Sequence, residues 1–563
     1  MISKISFVLA MIATPFLALN AQHHYAEWVK TIETNGTNSN MNNLLFDGQN
    51  YIVNGSYFLS GTFNGNTLQE ASSANAMISK IDPDGNHIWL SQVYGDGMVS
   101  FFDMAFDSDM NIVLAGWTTS QQAVYVNGEM IIEGDGSWVN NSMVIKLSGA
   151  DGSLMWHRHW TGAEYTTLNA SKVAVDENDN VYVSGYYNTP WEIDGISFPY
   201  NFIFGDDVYI LKFNPEGTVV WGNYWPSIDN MGFSLIRSLA VNDEALYFSL
   251  EYSLPVMVNG EPLPHTGEYY WLAVAKVSKE TGEVVNIYPF GTEGSQLIQQ
   301  LALDNSGNIV VVGWFTAENP ITLGSFMLNG YGQDDGFIFK MNSDLEVIWA
   351  KQMGGLFTDR AFNVQIDQDN TLFIGGGFDS SEDFFYDGQK VLDPQIPASL
   401  AMCYLQLHAD GSFIQSAGLY GQMGGTVLSF TSAYANQFET MLEVICTGNF
   451  IGGVTFIEGQ QITTDHNRGF VYKWLLPDVT SVGDLSDEAT YCMIYPNPAT
   501  DYLTIDPVNQ RLEIKLVDIT GRLIFSSAIE TITTISISEL PSGVYMMNMK
   551  NQNMQRSLKV IKN

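Results

Sequence analysis

The chain has 563 residues, 45% of them apolar and 13% aromatic, and 61 Asp/Glu stand against 23 Lys/Arg for a formal net charge of −38. That length exceeds one compact core, the apolar content excludes a disordered chain, and the charge excludes a nucleic-acid partner, whose phosphates need clustered Lys and Arg. Three cysteines (Cys403, Cys446, Cys492) without metal-ligand spacing exclude a disulfide framework. Buried free thiols are expected, with a single Cys403–Cys446 bridge as the alternative.

Residues 1–21 read MISKISFVLAMIATPFLALNA. Lys4 gives a positive start, Ile5 to Leu19 is apolar but short for a bilayer span, and Ala21 is a small residue before Gln22. This pattern predicts a cleaved signal peptide, with a first core strand or a membrane anchor as the alternative. No later segment is a transmembrane candidate, so the mature chain is expected to be exported and soluble.

From there one lysine-bearing strand recurs every 64–67 residues. It reads MISKIDPDG around Lys80, MVIKLSGADG around Lys146, YILKFNPEG around Lys212 and AVAKVSKETG around Lys276. It returns as FIFKMNSDL around Lys340, YLQLHADG around Gln406 and FVYKWLLPD around Lys473. A period this regular marks one supersecondary unit in tandem. Each unit holds two hairpins. The first is an apolar strand ending in Asp, a turn and a strand ending near Gly, as in LALDNSGNIVVVGWF (301–315). The second is the lysine strand, a turn and a return strand that carries Trp89, Trp156, Trp221 or Trp349. Four strands per unit and seven units predict a seven-bladed β-propeller. The mature chain opens with AEWVKTIE around Trp28, like a return strand, and the array finishes on FVYKWLL (470–476) without one. The N-terminal strand is therefore expected to close the last blade, leaving no open edge. An open β-solenoid is the runner-up architecture.

Most units carry a further turn between their two hairpins: FNGN (63–66), VNGE (126–129), IDGI (193–196), VNGE (258–261), YDGQ (386–389) and IEGQ (457–460). Asn-Gly and Asp-Gly predict extra small hairpins, all on the same side of the ring. Two roles stand open: a thicker blade edge, or a crown of recognition loops.

LDNSGNIVVVGWF with FIFKMNSDLEVIW (337–349) resembles the bacterial β-propeller repeats called SBBP repeats. Unit four departs, with VNDEALYFSLEY (241–252) lacking the Gly, and unit six has Gln406 for the lysine. The resemblance covers roughly 23–477 and implies a fold rather than a function.

VTSVGDLSDEAT (479–490) is polar and reads as a linker, giving boundaries of 22–477 for the propeller, 478–493 for the linker and 494–563 for a last domain. The charge shifts there: from residue 494 on, seven Lys/Arg stand against six Asp/Glu. Alternating strands between Asn-Pro, Thr-Gly and Ser-Gly turns predict a small immunoglobulin-like β-sandwich. Its motifs are Tyr495-Pro496-Asn497-Pro498, Asp518 to Gly521 and Arg522, Leu540 to Tyr545 with Gly543, and the basic ending with Lys559 and Lys562. These resemble the type A C-terminal sorting domain of type IX secretion cargo. That resemblance implies the secretion machinery as a partner, passage through the outer membrane, and release or attachment at the cell surface.

Candidate chemistry is sparse. The recurrent Asp47, Asp107, Asp176, Asp304 and Asp367 are good turn-initiating residues, with calcium binding by a ring of carboxylates as the sharper alternative. No other cofactor is indicated. His157 and His159 lie two apart on a strand and so share one face, but no third ligand for a metal is identifiable. The pairs Asp206-Asp207 and Asp334-Asp335 both precede a lysine strand, which makes them repeat features. Trp117, Trp314, Tyr186 and Tyr187 are expected to pack in or between blades. No nucleophile–base signature is present, and no catalytic residue is assigned. A secreted or surface-displayed module that binds glycan or protein is the expected function; the alternative is a hydrolase or lyase with its site at the channel mouth.

Overall fold

A computed structural model describes residues 25–477 and 493–562, apart from 35–36, 71–72, 120–122, 135–138, 165, 201–204, 229–230, 268, 380–381, 393–399, 420–425, 439–440, 456–460, 496–501, 507–510, 519–521, 532, 542 and 551–554. The expected signal peptide and most of the expected linker lie outside these residues. The chain divides into two compact units, Met1–Val479 and Thr480–Asn563. Among the described residues every regular element is a strand, and no helix is long and apolar enough to cross a membrane.

Seven sheets of the first unit share one plan: four antiparallel strands, paired in chain order. We number them sheets 1 to 7, over residues 39–95, 99–164, 168–225, 234–290, 296–354, 360–419 and 426–477. The first strand of each sheet packs against the first strand of the next, and that of sheet 7 returns to that of sheet 1. Sheet 7 takes its fourth strand from the start of the chain. Tyr25–Thr34 pairs with Gln461–Pro477 in the register Val29↔Tyr472, Lys30↔Val471 and Thr31↔Phe470. A hydrophobic core spans this seam, with Trp28, Ile32 and Val471 packed on Met41, Tyr51 and Met77 of sheet 1.

The other cores also lie between adjacent sheets. Ile78 and Trp89 of sheet 1 meet Phe101 and Met143 of sheet 2, and Trp160 of sheet 2 meets Tyr187 and Tyr209 of sheet 3. This arrangement explains a departure from simple alternation. The second and third strands are covered on both faces, so Tyr51–Phe58 and Asp207–Phe213 are buried almost throughout. Outer strands such as His87–Gly95 keep the buried–exposed alternation.

The first strands share a bulge at an equivalent place: between Met41 and Asn43, Phe101 and Asp103, Ala170 and Lys172, Ile236 and Ser238, Ile298 and Gln300, and Ala361 and Asn363. A bulge adds twist and re-aims one side chain. Its polar follower often reaches the neighbouring sheet. Asn43 Nδ2 donates to the Phe102 carbonyl at 2.8 Å, and Gln300 Oε1 accepts from the Val364 amide at 2.8 Å.

Extra hairpins form at the expected turns around residues 64, 127, 194, 259 and 387, with another around Gly324; the turn at 457–460 lies outside the described residues. Asn64-Gly65, Asn127-Gly128 and Asp387-Gly388 take positive φ at both positions, as a type I′ turn requires. Three of these hairpins continue the outer edge of the preceding sheet: Gly61–Phe63 pairs with Tyr25–Thr34, Val124–Val126 with His87–Gly95, and Phe384–Tyr386 with Val347–Gly354. They cover exposed edges and tie neighbouring sheets together, which is the thicker-edge role.

In the second unit a three-stranded and a four-stranded sheet enclose one core. Leu503 and Ile505 of the first sheet pack with Leu512, Ile514, Leu516 and Met547 of the second.

Candidate functional site

The repeat lysines are nearly buried, and a buried ammonium must be paired. Lys80 meets Asp47, Lys146 meets Asp107 and Lys340 meets Asp304, each at 2.7 Å. The aspartates also hold their turns: Asp107 Oδ1 accepts the Asp109 and Asn111 amides at 3.0 and 2.8 Å, and Asp304 Oδ1 accepts those of Ser306 and Asn308 at 2.8 and 2.9 Å. Burial works to raise these carboxyls, but the lysine and turn donors outweigh it and hold Asp47, Asp107 and Asp304 below their ordinary value. Carboxylates so engaged are not an open ring of calcium ligands.

The same lysines tie sheet to sheet. Their acceptor is the carbonyl of the third residue after the next repeat lysine, or after Gln406. Lys80 and Trp89 both donate to Gly149 O, at 2.9 and 3.3 Å. Lys212 and Trp221 donate to Lys279 O at 2.9 and 3.0 Å, and Lys340 and Trp349 to Ala409 O at 3.1 and 3.3 Å. Trp156 reaches Pro215 O at 3.0 Å. Across the seam, Lys473 and Trp28 both donate to Pro83 O at 2.9 Å. Each tryptophan ring also lies on a glycine of the next turn. A Cβ at Gly85 would stand 2.8 Å from Trp28, and one at Gly152 would stand 2.7 Å from Trp89. Departing units find substitutes: Lys276 pairs with Glu244, Lys279 with Glu177 at 2.7 Å, and Gln415 donates to Gln406 at 2.6 Å.

Once these repeated contacts are set aside, one group of unlike residues stands out at sheets 3 and 4, on the side where first and third strands begin. Asp206 bridges in parallel to Phe233, so the start of one third strand lies beside the start of the next first strand. Arg237 is the bulged residue of Ser234–Val241. Its Nε donates to Glu251 Oε2 at 2.6 Å, and its side chain is 37% exposed while that of Glu251 is 6% exposed. Tyr270 precedes the third strand of sheet 4 and is 40% exposed; Phe233, just before the first strand, is 43% exposed, and Tyr269, next to Tyr270 in sequence, is 45% exposed. The Tyr270 phenol is raised above its ordinary value, first by burial of its inner part and then by Glu251 and Asp206, with Arg237 acting in the opposite sense. Asp207 is raised to about 6 by burial, with the Ser227 amide lowering it and Asp206 raising it further. Asp206 is raised as well, by burial.

Sheets 5 and 6 repeat the paired aspartates with different surroundings. Asp335 Oδ2 accepts the Tyr331 and Gly332 amides at 2.7 and 3.1 Å, and Asp359 Oδ2 accepts that of Gly355 at 2.6 Å. Burial raises Asp335 to about 6, with Asp334 adding to it, and Asp359 to about 7, with Asp335 and Asp379 adding to it, against those donors. Gly354 sits where a Cβ would strike the Asp335 carboxylate. Arg360 pairs with Asp334 and lies 4.0 Å above the Trp314 ring.

Other sequence candidates resolve individually. His157 and His159 share a face with rings 6.1 Å apart and nearly parallel, and burial lowers both. Among the described residues no group of three metal-binding side chains assembles. Tyr187 is core, Tyr186 is half-buried and Trp117 stacks on Phe102 at 6.4 Å. Cys403 and Cys446 are buried and free. Two depressions, of about 270 Å³ beside Val364 and Asp367 and about 330 Å³ beside Tyr224 and Asn259, have no cation in their lining.

In the second unit Asp518 closes its turn by accepting the Arg522 amide at 3.0 Å and Arg522 Nε at 2.9 Å. Tyr545 donates to the Pro541 carbonyl at 2.8 Å, Lys562 is buried, and Gly543 begins its strand. Tyr495 ends the strand Met493–Tyr495 and Lys559 lies in Gln555–Lys562. Pro496, Asn497, Pro498 and Gly521 lie outside the described residues.

Residues 493–563 match the family model described as a secretion system C-terminal sorting domain. The second unit is a C-terminal sorting domain. Such a domain implies type IX secretion export, so the protein is secreted, displayed on the cell surface or attached to the outer membrane. An uncharacterised WD repeat-containing protein of Acanthamoeba polyphaga mimivirus is 21% identical over 374 residues, which are 55% of this chain and 27% of that protein. The chain thus spans about a quarter of that relative's length. Among solved structures the chain is similar to PorZ, described as an essential bacterial surface component of the type-IX secretion system of Porphyromonas gingivalis. That match has 10% identity, 95% of this chain and 100% of that chain covered, and a TM-score of 0.17. A second similar structure is Synechocystis apocarotenoid oxygenase, with 10% identity, 78% and 95% covered, and a TM-score of 0.35. Likenesses this slight say nothing of mechanism.

Proposed function

We propose that the protein is a type IX secretion cargo whose 22–477 segment is a closed seven-bladed β-propeller of SBBP-type repeats. On this reading residues 1–21 are a signal peptide, 478–493 a linker and the sorting domain an immunoglobulin-like sandwich. The propeller then serves outside the cell as a non-catalytic recognition module for extracellular glycan or protein.

The observation that carries this reading is how the polar groups divide. Repeat aspartates and lysines are taken up by turns and sheet-to-sheet contacts, whereas Arg237 and Tyr270, both acting on the same Glu251, offer donors and a ring to solvent. Groups of that kind orient a ligand in a recognition site. One observation favours the enzyme alternative: the raised carboxyls Asp206 and Asp207 lie where their charge acts on Tyr200, and Asp206 acts on Tyr270 also. Carboxyls raised toward neutral pH are the material of acid–base catalysis in hydrolases and lyases.

A glycan-array screen of the mature chain, with and without calcium, tests the reading. Retention of a specific glycan without its turnover supports recognition. Cleavage of a polysaccharide by the same preparation overturns it in favour of the enzyme.

A further inference from the structure

The recognition reading leaves the ligand class open, and the residues at sheets 3 and 4 narrow it. Only four arginines precede residue 478, and each is ion-paired: Arg158 with Asp194, Arg237 with Glu251, Arg360 with Asp334 and Arg468 with Glu33. Arg237 differs in how it pairs. It uses Nε toward Glu251, at 2.6 Å, and the guanidinium fork has four further N–H donors on its two terminal nitrogens. Glu251 is nearly buried, so it fixes the direction of the guanidinium and cancels its charge. Tyr270 adds a hydroxyl that both donates and accepts, together with its own exposed ring.

We infer that this surface binds a neutral, hydroxyl-rich sugar chain, in preference to a uronic-acid polymer. The inference rests on the recognition reading and deepens it. Two facts select the charge class. First, Arg237 is neutralised locally by Glu251, and Asp206 stands nearby, so the site offers no net positive charge to a carboxylate. Second, the first 493 residues carry 55 acidic against 16 basic residues, and that field repels a polyanion within a Debye length of about 8 Å at physiological salt. A neutral pyranose meets neither penalty. Its hydroxyls accept from the Arg237 terminal N–H groups and exchange hydrogen bonds with the Tyr270 hydroxyl. A C–H face of the sugar lies on the Tyr270 ring. Glu251 acts as a positioning residue for Arg237.

The test is calorimetric titration of the mature chain with cello-, manno-, xylo- and chito-oligosaccharides and with oligogalacturonate. At least one neutral oligomer is expected to bind. Tyr270→Ala, an exposed position, should weaken it about tenfold, and Arg237→Lys, which keeps a partner for Glu251, should weaken it similarly. Thermal unfolding of both variants should match the parent, which separates lost contact from lost fold. Tightest binding to oligogalacturonate would overturn the charge class. Binding of a neutral oligomer that both variants leave intact would overturn the site while sparing the recognition reading. Binding of no carbohydrate would overturn the ligand class and leave a protein partner as the remaining form of that reading.

Discussion

Replacing Trp28 by alanine tests the seam between the two ends of the first unit. The indole is 9% exposed, lies over Gly85 of the neighbouring turn and donates to Pro83 O at 2.9 Å. Truncating a buried tryptophan removes its packing and leaves a cavity, at about 3–5 kcal/mol. The lost hydrogen bond adds little, because Pro83 O keeps Lys473 Nζ at 2.9 Å and is not left bare. If the ring unfolds as one body of about 450 residues, an unfolding entropy near 2.1 cal/mol/K per residue converts this into a fall in Tm of roughly 3–5 °C. Trp156→Ala is the matched control, since Trp156 makes the equivalent contact to Pro215 O at 3.0 Å inside the array. Differential scanning calorimetry of both variants should show similar shifts of one transition. A loss below about 1 kcal/mol for Trp28→Ala, beside a full loss for Trp156→Ala, would mean that the N-terminal strand frays independently, and the seam argument would fail.

Two further outcomes follow from the buried charges. Asp107→Asn strands Lys146, whose side chain is 6% exposed, and should cost about 3–5 kcal/mol in urea unfolding; adding Lys146→Met should recover part of it. Asp359 behaves in the opposite sense. Its carboxyl, at about 7 against an ordinary 3.8, holds a proton that the unfolded chain has already released in that interval. Folding stability therefore falls as pH rises from about 4 to about 7 and levels off above. Asp359→Asn should raise Tm relative to the parent at pH 8 and lose that advantage near pH 4. An advantage that does not change with pH would show that Asp359 is ionised in the folded protein at both.

Much of the large unit could be read from residues because its signals are local. The lysine strands, the Asp-initiated turns and the Asn-Gly hairpins each depend on a few adjacent side chains. The seam was legible too, since AEWVKTIE carries the tryptophan of a return strand and FVYKWLL lacks one. The purpose of the lysine and tryptophan was not legible. Their shared acceptor inside the array is a backbone carbonyl 58–69 residues further on, and every residue has a carbonyl. The Arg237 site was missed for a related reason. Glu251 and Tyr270 come from other strands and loops, and only the scarcity of arginine in an acidic chain marked the position. The recurrent aspartates were legible as turn initiators, with calcium binding as the alternative; what the sequence did not show is that Asp107 faces Lys146 as well as its own turn amides. In the sorting domain, Asp518 and Tyr545 each bond within four residues, so their motifs are compact in sequence.

Closure of the seven sheets into one ring is the claim on which the rest stands, and a disulfide across the seam tests it most directly. Lys30 and Val471 are opposite each other in the antiparallel pair, where Cα atoms lie about 4.5–5.5 Å apart, within the span of a disulfide. In the Lys30→Cys, Val471→Cys double variant, oxidation should give one intramolecular bridge, seen by mass spectrometry of an unreduced digest and as faster migration on a non-reducing gel. Free thiols at both positions after oxidation, or bridges formed only between chains, would contradict the closed ring.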